Sequence, residues 1–309
     1  MNEREIVCSD LNAALETWRG EGFRLDSIYP ADHPHTAVLT RAGETLRLSR
    51  EPNAARPDNE LPSFRSEFVL SRANSSGGQG RAGMLYRDLI PGRLGGRYVA
   101  SLIGLPEGGP VADWVHFHRI ALQLIYVRTG WVRVVYEDQG EPFVMEPGDL
   151  VLQPPQIRHR VLESSAGLEV VEIGCPALHE TIADHGMALP NSTDRERSFS
   201  GGQRFLRHLA SNTAWTPFHG GEAQETALKA ATGGLAEART IRGDRVELSP
   251  HSGELVFGFV LEGSARLHFA NEFALGSGDA FVIPPGEPWG LTHGSEDFRL
   301  LHVTTAPLG

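Results

Sequence analysis

The chain has almost no lysine and little cysteine. Of its 28 basic residues only Lys229 is a lysine, and the others are arginines, whose planar fork suits bidentate contact with carboxylates. Against 39 acidic residues they leave a formal net charge of −11, so the sequence carries no electrostatic footprint for a nucleic-acid backbone or an anionic membrane surface. Neither partner is expected. Two cysteines, Cys8 and Cys175, match neither a disulfide framework nor a thiolate metal site. No run approaches the roughly 18 apolar residues of a membrane span, and the opening MNEREIVCSD lacks the apolar stretch of a secretion signal. A cytoplasmic location is the expectation.

What is present points to β structure. With 309 residues the chain has room for two modest domains, and its 40% apolar and 22% charged residues are those of a folded globular protein. Its 35 glycines and 20 prolines fall mostly between short runs rich in Val, Ile, Leu and Phe, the punctuation of sandwiches and barrels. A mainly helical fold is disfavoured.

Residues 10–20, with Asp10 as cap, read as a short amphipathic helix, and GFRLDSIYP and TAVLTRAGETLRLSRE alternate like strands. Residues 51–95 hold Pro, Asn, Ser and Gly clusters such as NSSGGQG and read as an irregular connector. From Gly96 to Ile173 short strands recur between the turns PEGG, EDQGEP, EPGD and SSAG, and a similar array runs from Leu235 to Val303. The match of GDLVLQPPQ (148–156) to GDAFVIPPG (278–286) makes the two arrays a repeat. Three regions are expected: an N-terminal extension and connector over 1–95, a first β unit over 96–190 and a second over 191–309. Between the arrays, 179–202 read as a polar loop and RFLRHLASNTAWTPF as one further strand.

The first unit carries the chemistry. In WVHFHRIALQLIYVRTG, His116 and His118 stand two apart, so on a strand both imidazoles point to one face. Gln123 follows, Gly130 turns the chain, and the hairpin opened by Gly148 and Asp149 ends in PPQIRH at His159. Three histidines and one amide oxygen can converge from adjacent strands.

The pattern HxHx4Qx6G followed by Gx5PxQxxH resembles the paired motifs of the cupin superfamily, with Gln123 where that family usually has Glu and Gln156 where it has Gly. The resemblance implies an all-β fold of two cupin barrels (double-stranded β-helices) behind a small N-terminal α+β extension. It implies one divalent metal held by His116, His118, Gln123 and His159. In the second unit the equivalent positions are Ser249, His251, Val256 and Trp289, so only one ligand of four survives and that barrel is expected to be degenerate. The layout is similar to gentisate-type ring-cleaving dioxygenases, which implies an oxygen-dependent oxidoreductase acting on a small aromatic or diketone-like substrate. Three neutral imidazoles and a neutral amide would leave the ion its full +2 charge, which favours an anionic substrate. Iron(II) is favoured by the analogy, while zinc, manganese and nickel suit the same donors. A non-oxidative isomerase, cyclase or lyase using zinc or manganese is the alternative, followed by a small-molecule-binding protein without catalysis. A homodimer is expected on the resemblance alone.

Other residues read more plainly. Parity turns Arg158 away from the metal, and Tyr126, Trp131, Arg133 and Tyr136 read as packing. His33 and His35 form a second HxH pair without a turn-spaced partner and read as a solvated loop. His179 and His185, with Glu180 and Asp184, lie in the inter-unit loop, expected as a polar linker and less so as a lid.

Overall fold

A computed structural model describes residues 3–57 and 60–308. Each β unit is a barrel of two facing sheets. In the first, one wall is seven-stranded, in the order Gly78–Gln79, Leu85–Asp88, Val99–Leu105, Leu168–Cys175, Leu122–Thr129, Leu150–Leu152, Leu206–His208. The facing wall runs Thr181–Ala183, His116–His118, His159–Ser164, Val132–Tyr136, Phe143–Met145. The N-terminal extension prolongs that facing wall: Arg24–Tyr29 pairs with Thr181–Ala183, and Thr36–Arg41, Glu44–Ser49 and Glu3–Val7 follow outward. The expected helix forms over Leu11–Gly20, where the Asp10 side chain accepts from the backbone N–H of Asn12 and Ala13, and its Leu11 and Leu15 cover the extension. No helix among the described residues is long and apolar enough to cross a membrane.

The second barrel repeats the plan with a seven-stranded wall centred on Leu255–Glu262 and Arg299–Thr305, facing Val246–Leu248, Trp289–Thr292, Ser264–Phe269 and Asn271–Gly276. The registers agree: Leu122 lies opposite Cys175 as Leu255 lies opposite Thr305.

Strand parity explains how the barrels meet. Along Leu122–Thr129, Leu122, Leu124 and Tyr126 point out of the first barrel, while Gln123, Ile125 and Val127 point in. Along Leu255–Glu262, Leu255, Phe257 and Phe259 point out and Val256 and Val260 point in. The outward sets share one core, so the two large walls pack back to back.

Three stretches depart from the sequence reading. RFLRHLASNTAWTPF, expected as one strand, forms two, Leu206–His208 on the first barrel's wall and Thr216–Phe218 on the second's. Within the connector, Val69–Ser71 is a strand that pairs with Ala280–Val282 of the second barrel, and Gly78–Gln79 and Leu85–Asp88 border the first. Within the supposed polar loop, Thr181–Ala183 is a strand held between His116–His118 and Ser27–Ile28, so its backbone is committed to the wall and it is no lid.

Candidate metal centre

His116–His118 pairs with His159–Ser164 through His116 opposite His159, which brings the motif's two ends together. Nitrogen atoms of His116, His118 and His159 lie within 4.8 Å of one another, and all three residues are buried. Each Nδ1 has a partner: the Trp114 carbonyl at 2.7 Å for His116, the Ile157 carbonyl at 3.0 Å for His159, and Thr181 Oγ1 at 3.1 Å for His118. A carbonyl only accepts, so His116 and His159 carry their proton on Nδ1 and present the Nε2 lone pair inward. This is how metal-binding imidazoles are oriented. Burial drives all three pKa values down, that of His159 to about 4, and the neighbouring Arg81 and the other imidazoles push His116 and His118 the same way. The imidazoles are therefore neutral at physiological pH. The donor set fits a divalent ion.

Gln123 lines the same cavity, and its Nε2 donates to Glu172 Oε1 at 2.5 Å. That commits the amide nitrogen and leaves the oxygen as the donor for an ion. Glu172 qualifies the expectation of a wholly neutral site: the carboxyl absent at position 123 stands one amide away. Burial raises its pKa, and the bond from Gln123 opposes the shift. In the alternating stretch LEVVEIGC, Glu172 shares the inward face with Leu168 and Val170, a lone acid on an apolar face and a signal that could have found it.

Arg81 carries no such signal. It comes from the connector, in the turn Arg81–Gly83, and Gly80 before it allows the approach: a Cβ there would lie 2.4 Å from the Tyr86 ring and 2.8 Å from the Ala31 carbonyl. Arg81 Nη1 donates to Asp113 Oδ1 at 2.5 Å, and Nη2 donates to His116 Nε2 at 3.2 Å. Burial works against the Arg81 charge, and Asp113, together with Tyr86 and Glu172, outweighs it, so the pKa is raised. The cavity these groups share measures about 90 Å3 as space open to the centre of a water molecule, roughly six times the ~15 Å3 one water needs. Its remaining wall is mostly apolar, including Met84, Ile103, Ile125, Val134 and Val170.

Several other expectations can be placed. Tyr136 stacks on His159 at 5.5 Å between ring centroids and accepts from Gln153 Nε2 at 2.8 Å, so it braces that imidazole as well as packing. Tyr126 reaches across to Thr240 Oγ1, whereas Trp131 and Arg133 are exposed. Arg158 lies outside the cavity, on Asp184 Oδ2 and over the Phe117 ring. His33 sits beside Arg50, His35 bonds Thr36, and His185 bonds the Leu25 carbonyl. His179 packs edge-on against His118. The turn before His159 is unchanged by its substitution: Gln156 adopts φ +65° where Gly286 of the second barrel has +82°.

Among the described residues the second barrel holds no such cluster, and apolar side chains take its place. Val256 and Trp289 belong to its apolar core together with Phe281, whose ring lies where any Cβ on Gly258 would come within 2.2 Å. His302 stands where the first barrel has Glu172, opposite Gly258 as Glu172 is opposite Ile125, and burial takes its pKa down to about 3. Among the described residues, the cluster of His116, His118 and His159 is the only group of three or more His, Cys, Asp or Glu placed to hold an ion.

A cupin domain model matches residues 101–174 and again 241–304. No curated protein matches the sequence at a significant level. Among solved structures, protein Ylba from E. coli is similar at TM-score 0.59 and 13% identity, covering 80% of this chain and 93% of that one. Oxalate decarboxylase from Bacillus subtilis is similar at TM-score 0.57 and 13% identity, covering 81% and 78%. The Lactobacillus farciminis oxalate decarboxylase formate complex gives 0.54 and 13%, covering 82% and 88%. With a cupin domain in each half and barrels of matching register, the chain is a bicupin of the cupin superfamily.

Proposed function

We propose that this bicupin is a mononuclear metal enzyme whose first barrel binds one divalent ion through His116, His118 and His159, with Gln123 as a fourth donor. The observation that carries this reading is the convergence of three buried imidazoles whose outer nitrogens are all occupied, opening on a cavity. A bound ion would supply Lewis acidity and, as iron(II), a position for O2. The chain's own groups would do the rest: Tyr136 and Thr181 hold imidazoles in place, Asp113 keeps Arg81 charged, and the apolar wall excludes water.

For the reaction, we favour O2-dependent cleavage of a small anionic aromatic or diketone-like compound on iron, because all four proposed donors are neutral. Glu172 supports the non-oxidative alternative, since a half-buried carboxyl in the cavity is a candidate proton carrier for an isomerase or lyase on manganese or zinc. The likeness to oxalate decarboxylase of B. subtilis, described with Mn(II) centres, points the same way. The test is metal analysis of protein purified without added metal, then O2 uptake against catechol, gentisate and diketones with iron(II), manganese(II) or zinc(II) restored. Uptake with iron alone supports the oxygenase, and turnover without O2 supports the alternative. Protein that takes up no stoichiometric ion overturns both.

A further inference from the structure

The two edges of the Arg81 guanidinium are used differently. Nη1 is bound to Asp113, whose other oxygen accepts from the Val161 N–H at 2.9 Å, so that carboxylate is engaged on both sides. On the opposite edge Nη2 donates to His116 Nε2, and the buried Nε has no partner. Nε–H and the adjacent Nη2–H are the parallel donors that fit the two oxygens of a carboxylate. The bond from Nη2 is the one contact an ion on His116 would displace, because Nε2 has a single lone pair. Arg81 and Asp113 form an ion pair without net charge, so the net charge that draws in an anion comes from the ion. Among the described residues lining the cavity, Arg81 is the only permanent cation, and Glu172 offers nothing to a second carboxylate.

From this edge we infer that the cavity takes a small monocarboxylate with an apolar remainder, its carboxylate on Nε and Nη2 of Arg81 and its body against the Ile103, Ile125 and Val134 wall. The inference rests on the metal reading of the three histidines. It separates this cavity from one built for a dicarboxylate.

The test uses the full chain loaded with zinc(II), so that binding is read without turnover. Isovalerate, isovaleramide and methylsuccinate share a skeleton, and the last exchanges one methyl of isovalerate for a second carboxylate. Calorimetric titration should show isovalerate binding at least about tenfold more tightly than either, and more weakly by a similar factor to metal-free protein. Arg81→Lys keeps the charge but loses the fork, and should cost isovalerate about tenfold while zinc remains at one per chain. The ligand series on the unaltered chain stands even where the variant fails to fold. Equal affinity for isovalerate and isovaleramide overturns the inference, as does tighter binding of methylsuccinate. Elemental analysis reads the metal separately: zinc that does not bind defeats the metal reading, whereas zinc bound without selection for the carboxylate defeats only the role of Arg81.

Discussion

At the scale of single residues, each of the three imidazoles is held by a hydrogen bond to a group outside the cluster, and the cores of the two barrels are built without them, so the fold should survive their removal. His116→Ala combined with His118→Ala is expected to abolish metal binding and leave the far-ultraviolet circular dichroism of a folded β protein. A stoichiometric ion in that variant would reject the assigned ligands. Gln123→Glu tests the amide against its neighbour. It places a second carboxyl at hydrogen-bond distance from Glu172, whose pKa burial already raises, and the pair would retain a proton that the unfolded chain has released. A raised pKa in the folded state means that stability falls as pH rises, so the Tm of metal-free Gln123→Glu should drop more steeply than that of the parent between about pH 5 and 8. Exchanging the two groups, Gln123→Glu with Glu172→Gln, restores one acid and one amide and should restore the parent profile. Parallel curves for all three proteins would show that the residues are not coupled.

At the scale of elements, the turn before His159, which carries the chain from one wall to the other, keeps a left-handed residue although it is not glycine. The left-handed region costs an L-residue roughly 1–2 kcal/mol, part of which glycine returns through its own greater freedom in the unfolded chain. Gln156→Gly should therefore raise stability by about 1 kcal/mol in chemical denaturation, and a loss of stability would mean that the Gln156 side chain makes a contact of equal worth. The strand Leu122–Thr129 has two duties, with Gln123 facing the site and Leu124 the interface between barrels. Leu124 is fully buried, and Leu124→Ala should cost about 2–5 kcal/mol. Because its neighbours belong to both barrels, the loss should appear as one transition shifted as a whole; two transitions, with only one displaced, would show that the barrels unfold independently.

At the scale of the whole molecule, the chain crosses between its halves. Val69–Ser71, which precedes the first barrel, closes the second barrel's large wall, and Leu206–His208, which follows it, edges the first barrel's wall. Ion pairs reinforce the exchange: Arg72 with Asp279 at 2.8 Å and Arg97 with Glu254 at 2.9 Å. One barrel is thereby free to keep a polar cavity while the other, packed with Phe281 and Trp289, supports it. The expected stoichiometry is one ion per chain, unaltered by His251→Ala. Two ions per chain, or loss of the ion in that variant, would restore the second barrel to the chemistry.

The sequence by itself determined the two barrels and the histidine cluster, because both are written in local signals. Strand alternation and turn glycines repeat over short distances, and His116, His118, Gln123 and His159 occupy fixed steps along strands joined by a recognisable turn. The degenerate half was legible for the same reason, since Ser249, Val256 and Trp289 stand at countable positions. Only the tertiary structure decided what surrounds the cluster. Arg81 lies in a connector with no periodicity and finds Asp113 32 residues on, Thr181 meets His118 through strand pairing, and Glu172 comes to Gln123 from a strand 49 residues on. Such contacts depend on which strands become neighbours and in which register, a long-range choice made by burying the outward faces of Leu122–Thr129 and Leu255–Glu262 against each other.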